Sequence, residues 1–106
     1  MKNDLKTLIE IIRSKKEQDP KKSYSALLLS SGLDNCISKL EEEFYELKET
    51  LKENKNKNKN KIHEAADLIY HLLVTLEVAN IKFEDVLIEL QKREKQSGIE
   101  EKKNRK

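Results

Sequence analysis

Lys61-Ile62-His63-Glu64-Ala65-Ala66-Asp67-Leu68-Ile69-Tyr70-His71-Leu72-Leu73-Val74-Thr75-Leu76 decides the fold. The stretch contains no Gly or Pro and its apolar residues do not alternate, so its period is that of a helix rather than a strand. At about 100° per residue, Ile62, Ala65, Ile69, Leu72, Leu73 and Leu76 share one broad face, and Ala66, Tyr70 and Val74 cover much of the remainder. One polar stripe is left, made by Glu64, Asp67, His71 and Thr75. A helix this apolar is buried on most sides. Carboxylates carried into such surroundings are costly unless they are paired or bound to a metal, so the stripe calls for a compensating cation.

Upstream, Lys39-Leu40-Glu41-Glu42-Glu43-Phe44-Tyr45-Glu46 has the same helical pattern. Leu40, Phe44, Leu47 and Leu51 form its apolar face, and Lys39, Glu42, Glu43 and Glu46 fall on an adjoining arc roughly 100° wide. Taken alone, Glu41-Glu42-Glu43 has the pattern of a solvated helix face; the acidic pair in the next helix gives it another meaning. If the two helices pack as antiparallel neighbours, Glu42, Glu43 and Glu46 face Glu64 and Asp67. The result is an all-oxygen cluster of the kind that suits Mg²⁺ or Mn²⁺, and Mg²⁺ is commonly shared with substrate phosphates.

The 106 residues suffice for one domain, and with 40% charged and 36% hydrophobic residues its core is small. Near-absence of Gly and Pro, with no alternating apolar run, predicts an all-α protein. A net charge of +2 gives no basis for nucleic-acid affinity. The single cysteine, Cys36, excludes an intrachain disulfide and a Cys-based zinc site. No run has signal-peptide or membrane-spanning character, so the expectation is a soluble cytoplasmic protein without a membrane partner.

In chain order, Asn3 or Asp4 caps a first helix running to about Glu17, with Leu5, Leu8, Ile9 and Ile12 inward. Arg13, Lys15 and Lys16 close it, either as a solvated end that suits the helix dipole or as bases that reach a phosphate. Asp19-Pro20 breaks the chain. Ser23 caps a short helix that Gly32 stops; Ser23 and Tyr24 also offer hydroxyls to a ligand. Asp34 caps the third helix, to about Glu53. The Asn/Lys run at 54–60 is a flexible connection that lets the acidic helices fold back on each other. After a turn at Asn80-Ile81-Lys82, a last helix runs from Phe83 to about Lys95 with Phe83, Val86, Leu87 and Leu90 inward. The domain is expected over residues 1–96, followed by a charged tail, 97–106.

The pattern Glu42-Glu43-x-x-Glu46 followed by Glu64-x-x-Asp67 resembles the signature of the all-α, MazG-like nucleoside triphosphate pyrophosphatases. Ser23-Tyr24-Ser25, Lys39-x-x-Glu42-Glu43, Asp67-Leu68-Ile69-Tyr70-His71-Leu72-Leu73-Val74 and Ser97-Gly98-Ile99-Glu100-Glu101-Lys102 together are similar to one branch, the phosphoribosyl-ATP pyrophosphatases of histidine biosynthesis. The family usually has small residues where this chain has Glu41 and Phe44, and the Asn/Lys loop is atypical. Its members often occur fused to the cyclohydrolase of the next step; the length here has no room for it, which implies the free-standing form.

This resemblance implies a MazG-like bundle of four to five helices completed by homodimerisation. It also implies Mg²⁺-dependent hydrolysis of phosphoribosyl-ATP to phosphoribosyl-AMP and pyrophosphate. Glu46, Glu64 and Asp67 are then the expected metal ligands, with Glu42 and Glu43 dividing a further ligand role and that of general base. Lys39 either holds a phosphate or pairs with Glu43 one turn away. His71 shares the acidic stripe and is expected to hydrogen-bond a ligand rather than to bind the metal. Two other readings are open: a house-cleaning pyrophosphatase acting on non-standard nucleotides, and a non-catalytic helical module whose acids are surface charge.

Overall fold

The computed structural model describes residues 4–53 and 58–94. The expected tail and its Ser97-Gly98 motif lie outside the described residues. Among the described residues there are five α-helices, α1 (Leu5–Ser14), α2 (Tyr24–Ser30), α3 (Leu33–Lys52), α4 (Asn58–Val78) and α5 (Phe83–Arg93), with a 3₁₀ turn at Lys15–Glu17 after α1; residues 54–57 of the expected Asn/Lys connection lie outside the described residues. No strand occurs among the described residues, so the all-α expectation holds.

Local chemistry sets most of the boundaries. Asp4 accepts the Thr7 N–H at 2.9 Å and Ser23 accepts that of Ala26 at 3.2 Å, each capping the helix that follows. Asp19 accepts the Lys21 N–H at 2.9 Å and turns the chain around Pro20. The third cap differs from expectation: Gly32, not Asp34, starts α3, and Asp34 sits in the first turn. At φ 93° and ψ 158°, Gly32 occupies a region that L-residues avoid, and its carbonyl accepts the Cys36 N–H at 3.1 Å. Helix α4 begins at Asn58, three residues before the apolar stretch, because extending an established helix is far cheaper than nucleating one. It ends in a Schellman turn: Asn80 at φ 61°, with Ile81 N–H on the Leu76 carbonyl and Asn80 N–H on that of Glu77.

Helices α3 and α4 form an antiparallel hairpin that places Cys36 opposite Thr75, Glu43 opposite Asp67 and Glu46 opposite Glu64. Helices α1, α2 and α5 gather at the C-terminal half of α4. The core is Ile9, Ile12, Leu28, Cys36, Leu73 and Val74, with Leu8, Leu29, Tyr70, Val78 and Phe83 packed around it. Cys36 donates its thiol to the Leu28 carbonyl, which fits a small buried helix residue.

The broad apolar face of α4 is not what the chain buries. Leu73 goes inward, whereas Ile62, Ile69 and Leu72 are exposed; on α3, Phe44, Tyr45 and Leu51 are exposed too. Leu5 and Leu90, expected inward, are likewise exposed. The polar stripe turns into the fold instead, with Thr75 buried and His71 6% exposed.

Candidate active site

Facing turns of α3 and α4 build the site. Carboxylate oxygens of Glu43, Glu46 and Glu64 lie within 4.8 Å of one another. No Lys or Arg pairs with any of the three among the described residues. Glu43 Oε2 and Glu64 Oε2 are shut off from water without a hydrogen-bonding partner, an arrangement that costs free energy until a cation or proton arrives. Desolvation, with the neighbouring charge of Glu46 next, raises the pKa of both carboxyls. Asp67, one turn beyond Glu64, adds its charge to both. These hard oxygen donors, two of them buried and unpartnered, fit a divalent cation of the Mg²⁺ type.

Glu42 is turned away from this group: it is exposed and meets Lys39 at 3.4 Å. Lys39 thus pairs with Glu42 rather than with Glu43. His71 seals the inner edge. Its Nδ1 lies 2.9 Å from the Asp67 carbonyl, an acceptor, so Nδ1 carries the proton, and in the neutral ring Nε2 accepts from the Tyr24 hydroxyl at 3.4 Å. Tyr24 stacks on Tyr70 with ring centroids 6.5 Å apart, and Tyr70 meets the His71 ring edge-on at 5.1 Å. The Tyr70 hydroxyl hydrogen-bonds Ser25. Ser23 is occupied as the cap of α2.

Arg13 is placed elsewhere. It donates Nε–H to Glu77 at 2.9 Å and forms a two-pronged pair with Glu84 at 2.8 and 2.7 Å, while Lys16 meets Glu77 at 3.0 Å. Glu77 lies thirteen residues beyond Glu64, about 20 Å along the helix. The guanidinium therefore ties α1 to α4 and α5, and the expected reach to phosphate does not arise within this chain. The hydrogen bond from Arg13 holds the Glu84 carboxyl down at about 2. Burial would raise the pKa of Glu77, but Arg13 and Lys16 outweigh it and leave it lowered. These pairings carry no local sequence signal. The contact of His63 does: its Nε2 lies 3.3 Å from Asp67 Oδ2, four residues on along the same helix, a spacing that makes neighbours of the two side chains.

The family described as phosphoribosyl-ATP pyrophosphohydrolase matches residues 5–94. The chain belongs to the phosphoribosyl-ATP pyrophosphohydrolase family. The matched span takes in all five helices and every candidate site residue. Among its relatives, the phosphoribosyl-ATP pyrophosphatase of Paracoccus denitrificans (strain Pd 1222) is 44% identical over 102 residues, covering 96% of this chain and 93% of that protein. That of Dechloromonas aromatica (strain RCB) is 42% identical over 101 residues, covering 95% and 92%. That of Bordetella avium (strain 197N) is 45% identical over 87 residues, covering 82% and 73%. As a member of the phosphoribosyl-ATP pyrophosphohydrolase family the chain is a hydrolase, which removes the reading of a non-catalytic helical module.

Proposed function

We infer that the chain hydrolyses 1-(5-phosphoribosyl)-ATP to 1-(5-phosphoribosyl)-AMP and pyrophosphate, the second step of L-histidine biosynthesis. The observation that carries this is the convergence of Glu43, Glu46 and Glu64, with two buried oxygens unpartnered, in a chain of this family. We assign Glu46, Glu64 and Asp67 to holding Mg²⁺, for which Mn²⁺ can substitute. When bound, the ion supplies charge neutralisation and Lewis acidity at the phosphates.

The chain's own groups do the rest. Water breaks the bond between the α and β phosphates, and its proton passes to Glu43, the inward-facing member of the Glu42–Glu43 pair, whose carboxyl is held above its ordinary pKa by desolvation and by Glu46. Glu42, turned outward, is not given that role. Tyr24, 55% exposed and fixed by His71 and Tyr70, offers its ring and hydroxyl to the nucleotide. The exposed Lys39–Glu42 pair is worth little, so Lys39 exchanges its carboxylate for a phosphate at small cost. A substrate built on ATP makes the cytoplasm the place of action. No helix among the described residues is long and apolar enough to cross a membrane.

A homodimer completes this reading. Phe44 is 59% and Ile62 68% exposed, and Leu40, Glu41, Phe44, Tyr45, Leu68 and Leu72 line an apolar groove of about 610 Å³ between α3 and α4. A second copy of the same hairpin covers this face as a two-chain helical bundle. The deciding assay is pyrophosphate release from phosphoribosyl-ATP with Mg²⁺, run beside ATP, dUTP and dCTP, with Glu64→Ala as control. Selective turnover of phosphoribosyl-ATP that disappears in the variant is expected. Preference for another nucleotide would move the chain to the house-cleaning pyrophosphatases, and no turnover at all by folded protein would remove the catalytic assignment.

A further inference from the structure

Outside the all-oxygen group, a second set of donors adjoins the same helix turn. Nitrogen and oxygen atoms of His63, Glu64 and Asp67 lie within 4.8 Å of one another. Two ligands on opposite sides of one ion, each at about 2.1 Å, are about 4.2 Å apart. The His63 side chain is 70% exposed and its Nε2 already lies 3.3 Å from Asp67 Oδ2, inside that span, so it can turn toward a shared ion without disturbing packing. The other histidine of the chain is excluded from this role: Nδ1 of His71 is used on the Asp67 carbonyl and Nε2 faces Tyr24. His63 has no such commitment beyond its surface contact with Asp67.

We propose that His63 joins Glu64 and Asp67 on the bound ion as an imidazole ligand, giving this chain a mixed nitrogen–oxygen site that favours Mn²⁺ over Mg²⁺. The inference rests on the metal site proposed above and adds to it a ligand from the solvent side. Imidazole is a ligand for transition metals, whereas Mg²⁺ strongly prefers oxygen. Replacing His63 therefore weakens the two ions unequally.

With only two histidines in the sequence, the source of a nitrogen ligand can be assigned directly. Mn²⁺-loaded full-length protein is measured at pH 8 by pulsed electron paramagnetic resonance for imidazole ¹⁴N coupling, together with Mn²⁺ and Mg²⁺ affinities by calorimetry. The expected result is coupling in the wild type that is lost in His63→Gln, with Mn²⁺ affinity falling about 10-fold and Mg²⁺ affinity changing less than about 2-fold. Coupling that persists in His63→Gln would assign the nitrogen to His71 and overturn the proposal. Stoichiometric Mn²⁺ binding without coupling would overturn it while leaving the all-oxygen site standing. Failure of folded protein to bind Mn²⁺ would overturn both.

Discussion

Glu43 and Glu64 each hide an oxygen from water without giving it a partner, and a pH dependence follows. Both carboxyls have pKa values raised above 4.5 in the folded chain, by desolvation first and by neighbouring acids next. As pH rises above 4.5 the unfolded chain loses these two protons while the folded chain keeps them. The folded state binds more protons there, so stability falls with rising pH until the raised values are passed, and stays lower above them. Thermal unfolding in EDTA should show this decline, and Glu43→Gln/Glu64→Gln should reduce it. Mg²⁺ at pH 8 should raise the Tm of the wild type and not that of the double variant. Parallel pH profiles for the two proteins would show that the carboxyls are not strained. At this scale much of the site was legible: an acid on an otherwise apolar helix is conspicuous without any coordinates. Which of two adjacent glutamates turns inward was not, because Glu42 and Glu43 lie only about 100° apart on α3 and the choice depends on how α4 is seated.

Among the elements, the caps Asp4 and Ser23 could be read from residue type, since a short polar side chain before an apolar run has a free N–H to accept. The start of α3 could not. Asp34 has the chemistry of a cap, but Gly32 alone tolerates the backbone needed to reverse from α2 into α3. A Cβ at Gly32 would meet nothing within 4 Å, so the cost of Gly32→Ala is conformational only. It should be about 1–3 kcal/mol, seen as a lower urea midpoint with an unchanged m-value. A shift under about 0.3 kcal/mol would mean that the turn relaxes freely. The contacts of Arg13 with Glu77 and Glu84 span 64 and 71 residues. Helical periodicity carries no information at that distance, so a base at the end of α1 looked free in the sequence although three of its donors are engaged in the fold.

For the whole molecule, the sequence marked α4 as a helix to be buried on most sides, and the fold leaves Ile62, Ile69 and Leu72 outside. It did not announce which side the chain would keep, because Tyr70, Val74 and Val78 read as well toward a core as Ile62, Ile69 and Leu72. Glu41 and Phe44 both line the exposed groove rather than the core. If a second copy covers the groove, Phe44→Glu should convert a dimer of about twice 12.4 kDa into a monomer, as measured by sedimentation equilibrium. A wild type that is monomeric at micromolar concentration would remove the two-chain bundle. One further property comes from the unequal seating of α4. All its buried residues, His71, Leu73, Val74, Thr75 and Glu77, lie in its second half, and the first half, with Glu64 and Asp67, is held mainly by α3. One continuous helix should thus have a slow-exchanging end and a fast-exchanging end. Backbone amides from 72 to 78 should exchange with deuterium only on global unfolding, whereas those from 62 to 68 should exchange by local opening until Mn²⁺ or Mg²⁺ slows them. The helix that carries the chemistry would then carry a gradient of local stability: a fixed stem with a tip that sets when the ion arrives.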